Sequence, residues 1–193
     1  MRKFRLIIIT GLPGTGKTCL ARKLAKHYGA PLIGKDTIKE PLMDVLGSDA
    51  ARSRGLSNMS FAILFSISKE LLALGGGLIL EGNFRAGEHE GPLLATLPAE
   101  RPTIVQVLCR TDEGERRRRL RSRSNDPARH AGHRDAAQLD RVAACDSFLE
   151  LPGERLVFDS GPDSSRDPAN RSSPEGVSAF DELVVSLDRL PAN

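Results

Sequence analysis

Residues 11–18 have the types and the spacing that phosphate binding requires. They read GLPGTGKT and match the phosphate-binding P-loop pattern G-x-x-x-x-G-K-[ST]. Glycines at these positions allow close approaches that a Cβ would block, so that successive backbone N–H groups can face an anion. Lys17 then places its ammonium group on the β- and γ-phosphates, and the Thr18 hydroxyl can bind Mg²⁺. The motif predicts a nucleoside triphosphate site formed by Gly11, Pro13, Gly14, Thr15, Gly16, Lys17, Thr18 and Cys19.

The segments around this motif alternate between strand-like and helix-like patterns. Apolar runs predict buried strands at 6–9, 31–33, 78–80, 103–109 and 155–159. Amphipathic runs predict helices at 16–28, 38–46, 56–74, 87–97, 136–151 and 180–190, besides an arginine-rich helix before residue 125. A strand before the motif and a helix after it are the context in which it binds phosphate. The alternation predicts an α/β fold with a parallel, doubly wound sheet, and 193 residues fit one such domain.

The composition is ordinary for a globular protein, with 39% hydrophobic residues, 27% charged residues and a net charge of +3. No apolar run approaches the length of a membrane span, and the amino terminus enters a strand without a signal peptide. Cys19, Cys109 and Cys145 are widely spaced and include no C-x-x-C pair, which is typical of reduced thiols. We therefore expect a cytoplasmic protein that does not bind membranes.

Polar residues follow two of the predicted strands, at the edge where an open α/β sheet faces its ligands. Asp36 follows the second strand, and it can either deprotonate a substrate hydroxyl or cap the next helix. Glu81 ends the third strand and can organise the water around Mg²⁺, orient an arginine or form a loop salt bridge. Arg85 can bind an anionic or phosphoryl group, because a nearby cation stabilises the charge of a transferred phosphoryl.

Six arginines lie on one predicted helix at residues 116–123, after acidic residues in its first turn. This charge order suits the helix dipole. Arginines at every helical angle cannot all serve one site, so most of them belong to a solvated face. Arg119 and Arg123 are one turn apart and can reach nucleotide phosphates together.

A charged loop at 125–135 follows the arginine-rich helix and carries Pro, Gly, His and Arg without periodicity. Such a loop between two helices is a candidate lid, and together with the helix it places the lid at about 116–135. His130 and His133 lie in this loop, but the further ligands that zinc requires are not near them in the sequence.

The order of these motifs resembles the P-loop kinases of the AAA_33 type, which are similar to chloramphenicol phosphotransferase, zeta toxins, gluconate kinase and shikimate kinase. The resemblance spans about residues 6–159 and rests on GLPGTGKT, GKDTIKE, LILEGNFR and RHAGH. It implies a P-loop NTPase three-layer α/β/α sandwich with a five-stranded parallel sheet of order 2-3-1-4-5. It also implies ATP and Mg²⁺ as cofactors.

The resemblance further implies roles for single residues. Residues 14–18 would bind ATP and Mg²⁺, Asp36 would be the base or the hydroxyl anchor, and Arg85 would contact substrate or phosphate. Arg119, Arg123 and Arg129 would be lid residues that close over the triphosphate. No D-x-D follows the second strand as in shikimate kinase, which argues against that substrate. No Walker B aspartate ends a strand, so Mg²⁺ would depend on Thr18 and on water, with Glu81 as a ligand through water.

We therefore expect an ATP- and Mg²⁺-dependent kinase that moves the γ-phosphoryl group to a hydroxyl of a small molecule. Two alternatives stay open: a nucleic-acid end kinase, favoured by the arginine-rich helix, and a nucleotide-dependent regulator or toxin-like protein. Aromatic residues make up only 4% of the chain and Trp is absent, so stacking platforms for nucleic acid are scarce. The sequence indicates neither the acceptor nor an oligomeric state.

Overall fold

The computed structural model describes residues 5–49, 51–127, 129–130, 132–133, 146–161 and 178–190. Five strands lie at Arg5–Thr10 (β1), Leu32–Gly34 (β2), Leu78–Glu81 (β3), Thr103–Arg110 (β4) and Glu154–Asp159 (β5). The helices lie at Lys17–Tyr28 (α1), Lys35–Leu46 (α2), Ser53–Ala73 (α3), Glu90–Leu94 (α4), Glu113–Ser124 (α5) and Ala179–Arg189 (α6). Every predicted strand is present, and no strand end differs from its prediction by more than one residue.

The strands form one parallel sheet in the order β2-β3-β1-β4-β5. This order confirms the doubly wound α/β fold and the strand order that the resemblance implied. β1 lies between β3 and β4, and the connection from β3 to β4 carries the chain from one side of β1 to the other. A crevice therefore opens at the carboxyl end of β1. Residues 11–18 follow β1 directly and therefore lie in this crevice.

Helices cover both faces of the sheet, because side chains alternate between the faces along each strand. In β1, Leu6 and Ile8 pack into a core with α3 and α4, whereas Ile7 and Ile9 pack into a second core with α1 and α6. All four side chains are buried, as expected for the central strand of a sheet that is covered on both sides. None of the described helices is long and apolar enough to cross a membrane.

Two predicted helices differ from the structure. The helix predicted at 87–97 is only α4, because Gly87 has a φ of 80°, which a right-handed helix does not contain. The helix predicted at 136–151 is wrong at its described end, since residues 146–151 are not helical. There the buried Gln106 amide accepts a hydrogen bond from the Leu149 N–H at 2.8 Å and donates one to the Leu149 carbonyl at 3.2 Å. These bonds occupy backbone groups that a helix would need. The rest of this prediction lies outside the described residues.

The P-loop begins with a close backbone approach at Gly11. This residue has a φ of 136°, and a Cβ added to it would overlap the carbonyl oxygen of Cys109 at the end of β4. Both the conformation and the contact require glycine. The position of Gly11 is thus set by its close approach to β4 as well as by its connection to β1.

We predict that Gly11→Ala lowers the free energy of unfolding by roughly 2–4 kcal/mol, because it adds backbone strain and an overlap with a carbonyl group. Gly75→Ala is the matched control, since Gly75 has a φ of 69° and no atom within 4 Å of an added Cβ. The control variant should lose only about 1 kcal/mol, the cost of a left-handed conformation. Urea unfolding followed by circular dichroism measures both values. Equal losses would show that the contact with Cys109 contributes nothing.

Candidate active site

Three hydrogen bonds to one carbonyl oxygen organise the P-loop. The Leu12 oxygen accepts from the Thr15 N–H at 3.3 Å, from the Thr15 hydroxyl at 2.8 Å and from the Lys17 ammonium group at 2.9 Å. Gly14 and Gly16 have φ angles of 91° and 83°, which turn the backbone around this oxygen before α1 begins. The loop therefore has the cradle shape in which N–H groups at a helix start bind phosphate oxygens.

Two arginines of α5 lie against this loop. Arg116 is only 3% exposed, and it donates to the Pro13 carbonyl at 3.4 Å. Arg119 donates to the Gly14 carbonyl at 3.4 Å and to the Ser160 hydroxyl at 2.7 Å, and also to the Gly161 carbonyl. Arg119 thus joins the P-loop to the segment that follows β5. Arg123, predicted to act with Arg119, lies one turn further along α5 and is partly exposed.

Glutamates in the first turn of α5 bind its arginines. Glu113 forms ion pairs at 2.7 Å with both Arg116 and Arg117. Hydrogen bonds from Arg116, with smaller contributions from Arg117, lower the pKa of Glu113 to about 2. Glu115 binds Arg118 and Arg119 in the same way at 2.6 and 2.7 Å. Four arginine charges of this helix are therefore partly neutralised within the helix itself.

Glu81 lies beside the lysine and the threonine of the P-loop motif. In the sheet register it is level with Ile9 of β1 on one side and with Gly34 of β2 on the other. Its carboxyl group is buried and accepts a hydrogen bond from Thr18. Burial raises the pKa of Glu81, although the charge of Lys17 opposes this rise. The Thr18 hydroxyl and this carboxyl are hard oxygen donors, so the residues present fit the ligand chemistry of Mg²⁺.

Asp36 lies in the first turn of α2 and forms an ion pair with the buried Lys35 at 3.0 Å. The capping interpretation of Asp36 is wrong, because α2 begins at Lys35, with Gly34 as its N-cap and without a side-chain capping bond. Burial would raise the pKa of Asp36, but the charges of Lys35, His133 and Lys17 outweigh burial and hold this pKa below its usual range. The charge of Lys17 in the P-loop therefore helps to keep the Asp36 carboxyl group ionised.

Arg85 follows β3 in a loop that other residues hold in place. Its backbone N–H donates to Nδ1 of the buried His89 at 2.8 Å, and the His89 ring packs on Phe61 with a centroid separation of 4.0 Å. Burial lowers the pKa of His89, so its imidazole is neutral and can accept this hydrogen bond. The Arg85 guanidinium forms an ion pair with Glu88 at 3.2 Å and is partly exposed. The structure thus places Arg85 beside Glu88 rather than against the P-loop.

Part of the predicted lid lies on α2. His133 is 2.7 Å from a carboxylate oxygen of Glu40, and His130 is 3.0 Å from a carboxylate oxygen of Asp44. Gly132 between them packs so closely on Met43 that an added Cβ would overlap the Met43 sulfur. The two histidines therefore bind carboxylates one turn apart on the helix that carries Asp36. Residues 134 and 135 at the end of this loop lie outside the described residues.

Sequence reasoning missed Arg116, Lys35 and Lys39, which the structure buries near the predicted site residues. Helical periodicity indicates that Arg116 is buried, because it lies four residues before Leu120 and thus on the inner face of α5. Lys35 and Lys39 are likewise one turn apart on α2.

A family model described as an AAA domain, AAA_33, matches residues 6–146. The chain belongs to the AAA_33 family. This assignment confirms the resemblance that the motifs carried, and solved structures of kinases share the fold, so the chain is a P-loop kinase-type protein. The matched range of this AAA_33 protein includes the P-loop, α2, β3 and α5, the elements that carry the candidate site.

Individual relatives support the same fold. The structure of a candidate kinase from Chloroflexus aurantiacus is similar with a TM-score of 0.79 and 29% identity, over 98% of this chain and 100% of that chain. A cytidylate kinase from Methanopyrus kandleri is 31% identical over 134 residues, which are 61% of this chain and 69% of that protein. An uncharacterised protein from Mycobacterium tuberculosis is 34% identical over 88 residues, which are 42% of this chain but only 18% of that protein.

We predict that Lys35→Met raises the pKa of Asp36, because burial then acts on the carboxyl without its ion pair. The folded-state pKa of Asp36 is lowered, so its contribution to stability is present above the unfolded value of about 3.9 and is lost as the pH falls below it. The variant should lose this contribution and show a weaker decrease in stability on acidification. Carbon NMR of the Asp36 carboxyl checks the pKa, with Lys69→Met on the exposed face of α3 as the control. If the titration midpoint of Asp36 were the same in Lys35→Met, the ion pair with Lys35 would not be what lowers the pKa of Asp36.

Proposed function

We propose that this protein is an ATP- and Mg²⁺-dependent phosphotransferase that moves the γ-phosphoryl group to a hydroxyl group of a small molecule. One observation carries the proposal. Asp36 follows β2 at the carboxyl end of the sheet, where its carboxylate pairs with the buried Lys35 and also interacts with the charge of Lys17. Positioning and charge stabilisation of this kind are what phosphoryl transfer needs from a protein.

The donor side is the P-loop with its neighbours. Its N–H groups would bind the phosphates of ATP, and Lys17 would leave the Leu12 carbonyl to neutralise the β- and γ-phosphates. Thr18 and, through water, Glu81 would hold Mg²⁺, which supplies charge neutralisation for the phosphates when bound. Arg119 already lies at the rim of the loop, where its guanidinium can contact the nucleotide. Gly11, Pro13, Gly14, Thr15, Gly16 and Cys19 complete the proposed nucleotide contacts.

The acceptor side is Asp36. Its lowered pKa keeps the carboxylate ionised near neutral pH, so it can accept the proton of the acceptor hydroxyl. The acceptor oxygen then forms a bond to the γ-phosphorus as the bond between this phosphorus and the β–γ bridging oxygen breaks. ADP leaves with the bridging oxygen, and the proton stays on Asp36 until solvent removes it. Arg85 would contact the acceptor or the transferred group after exchanging its partner Glu88.

Residues 116–135 would form the lid of this single domain. Arg119, Arg123 and Arg129 would be its cationic residues, and the contacts of His130 and His133 with α2 bring the lid to the acceptor side. Closure matters because water in an open site would consume ATP without product. A small acceptor is favoured over a nucleic acid, since glutamates already pair with Arg116, Arg117, Arg118 and Arg119.

We predict that Lys17→Ala lowers phosphoryl transfer by roughly 100-fold or more, because the γ-phosphoryl loses its principal cation. The assay follows label from γ-labelled ATP with Mg²⁺ to a panel of sugars, nucleosides, hydroxylated antibiotics and a short oligonucleotide. Lys69→Ala, on the exposed face of α3, is the control and should transfer as the unsubstituted protein does. A fully active Lys17→Ala variant would refute the kinase proposal.

We predict that Asp36→Asn keeps its affinity for ATP and lowers transfer by about 10²–10⁴-fold, the usual effect of losing a general base. Calorimetry measures ATP affinity beside the transfer assay. Asp49→Asn is the matched control, because Asp49 pairs with Arg52 before α3 begins. Label found only on the oligonucleotide would instead indicate a nucleic-acid end kinase. ATP binding without transfer to any acceptor would indicate a nucleotide-dependent regulator.

A further inference from the structure

Three lysines are buried, one in the P-loop motif and two on α2. Lys17, Lys35 and Lys39 are 9%, 5% and 9% exposed, whereas lysines are rarely buried unless they are paired. The proposed function uses Lys17 for ATP, and Lys35 is paired with Asp36. It gives no role to Lys39. A buried amine beside a reaction site therefore needs its own explanation.

Lys35 and Lys39 are two buried amines near one carboxylate, because Asp36 pairs with Lys35 and its charge also acts on Lys39. Within the described part of the chain Lys39 forms no ion pair, and its amine is within hydrogen-bonding reach of the Lys35 amine. Two ammonium groups cannot share a hydrogen bond, since neither has an acceptor. Burial, and then the charge of Lys35, lower the pKa of Lys39 to about 8, although the charge of Asp36 opposes this decrease.

The acidic side chains of α2 already have other partners. Asp36 accepts from Lys35, Glu40 binds His133, and Asp44 binds His130. The carboxylates that could neutralise Lys39 from its own helix are thus engaged by neighbouring residues. None of these three carboxylates forms an ion pair with Lys39 in the part of the chain that the structure describes.

We propose that Lys35 and Lys39 form a subsite for an oxyanion, a carboxylate or a phosphate, that the acceptor carries in addition to its reacting hydroxyl. This inference rests on the proposed function, because it places the acceptor beside Asp36. Lys35 and Lys39 are one helical turn apart, so the two or three oxygens of one oxyanion can accept from both amines. A neutral polyol would add no second negative charge beside the two amines, which share Asp36.

The spacing along α2 gives the acceptor an orientation. Asp36 lies next to Lys35 in the first turn of the helix, and Lys39 lies one turn further along α2. The anionic end of the acceptor would therefore bind at Lys39, and its hydroxyl would lie at Asp36, towards the γ-phosphoryl group. The subsite would thus select the acceptor by its charge and direct one hydroxyl to the donor.

Protection of Lys39 from acetylation tests the subsite directly. The full-length protein is saturated with Mg²⁺ and the non-hydrolysable analogue AMPPNP, so that the P-loop is not available to the probes. Acetylation of each lysine by acetic anhydride is then followed by mass spectrometry against rising inorganic phosphate, acetate or glycerol. We expect phosphate or acetate to slow the acetylation of Lys39 saturably, and glycerol to have no effect. The exposed Lys69 is the internal reference and should not change.

Each outcome of this test has a separate meaning. Protection by phosphate alone indicates a phosphorylated acceptor, and protection by acetate indicates a carboxylic acid. Protection by neither anion, or equal protection by glycerol, would overturn the subsite while leaving the kinase proposal intact. Failure to bind AMPPNP would count against the proposed function, and the same protection assay without nucleotide would still decide on the subsite.

A substitution gives a second measurement. Lys39→Met should weaken the binding of the protecting anion by roughly 10- to 100-fold, the usual effect of losing a hydrogen bond to a charged group. Calorimetry of the AMPPNP-loaded protein measures this affinity. Lys39→Arg should retain most of it, and Lys69→Met should retain all of it. An anion affinity that Lys39→Met leaves unchanged would contradict the proposal, and if this variant does not fold, the protection of Lys39 in the unsubstituted protein decides.

Discussion

Three donors converge on the carbonyl oxygen of Leu12, and the candidate site depends on this convergence. The Thr15 backbone and hydroxyl and the Lys17 ammonium group all donate to the same oxygen. One carbonyl accepts only about two strong hydrogen bonds, so the Lys17 bond is the one that a better acceptor can replace. The bonds from Thr15 are local and keep the loop's shape. The shape of the loop thus depends on bonds within residues 12–17, and the proposed phosphate contact of Lys17 would replace one of them.

Helix α5 contacts this loop through two of its arginines. Arg116 and Arg119 reach the carbonyls of Pro13 and Gly14, while Glu113 and Glu115 fix both guanidinium groups on the helix. A pre-formed arginine loses less side-chain entropy when a ligand binds. Arg119 thus contacts both the P-loop and the residues that follow β5.

The sequence predicted the fold closely, because the fold depends on strong local signals. The apolar runs of the strands and the pattern of residues 11–18 locate the sheet, the P-loop and the strand ends. The place of Asp36 after a strand located it at the carboxyl edge of the sheet, and its role there stays a prediction. The burial of Lys39 could not be derived, since a charged residue on a helix is usually solvated and only tertiary packing decides otherwise. The docking of His133 on Glu40 joins segments 93 positions apart, and no local pattern encodes it.

The two carboxyl groups of the site differ in a way that matches their proposed tasks. Glu81 is buried between strands, so its pKa is raised and its charge depends on nearby cations. Asp36 is half exposed and bound to Lys35, so its pKa is lowered and it stays ionised. When the environments of two acids separate their pKa values, the two acids can take different roles in one site. A cation arriving at Thr18 would favour the ionised form of Glu81, whereas Asp36 needs no such help. In the proposed function, donor binding would therefore act on Glu81, whereas the Asp36 carboxylate would be ionised before either substrate binds.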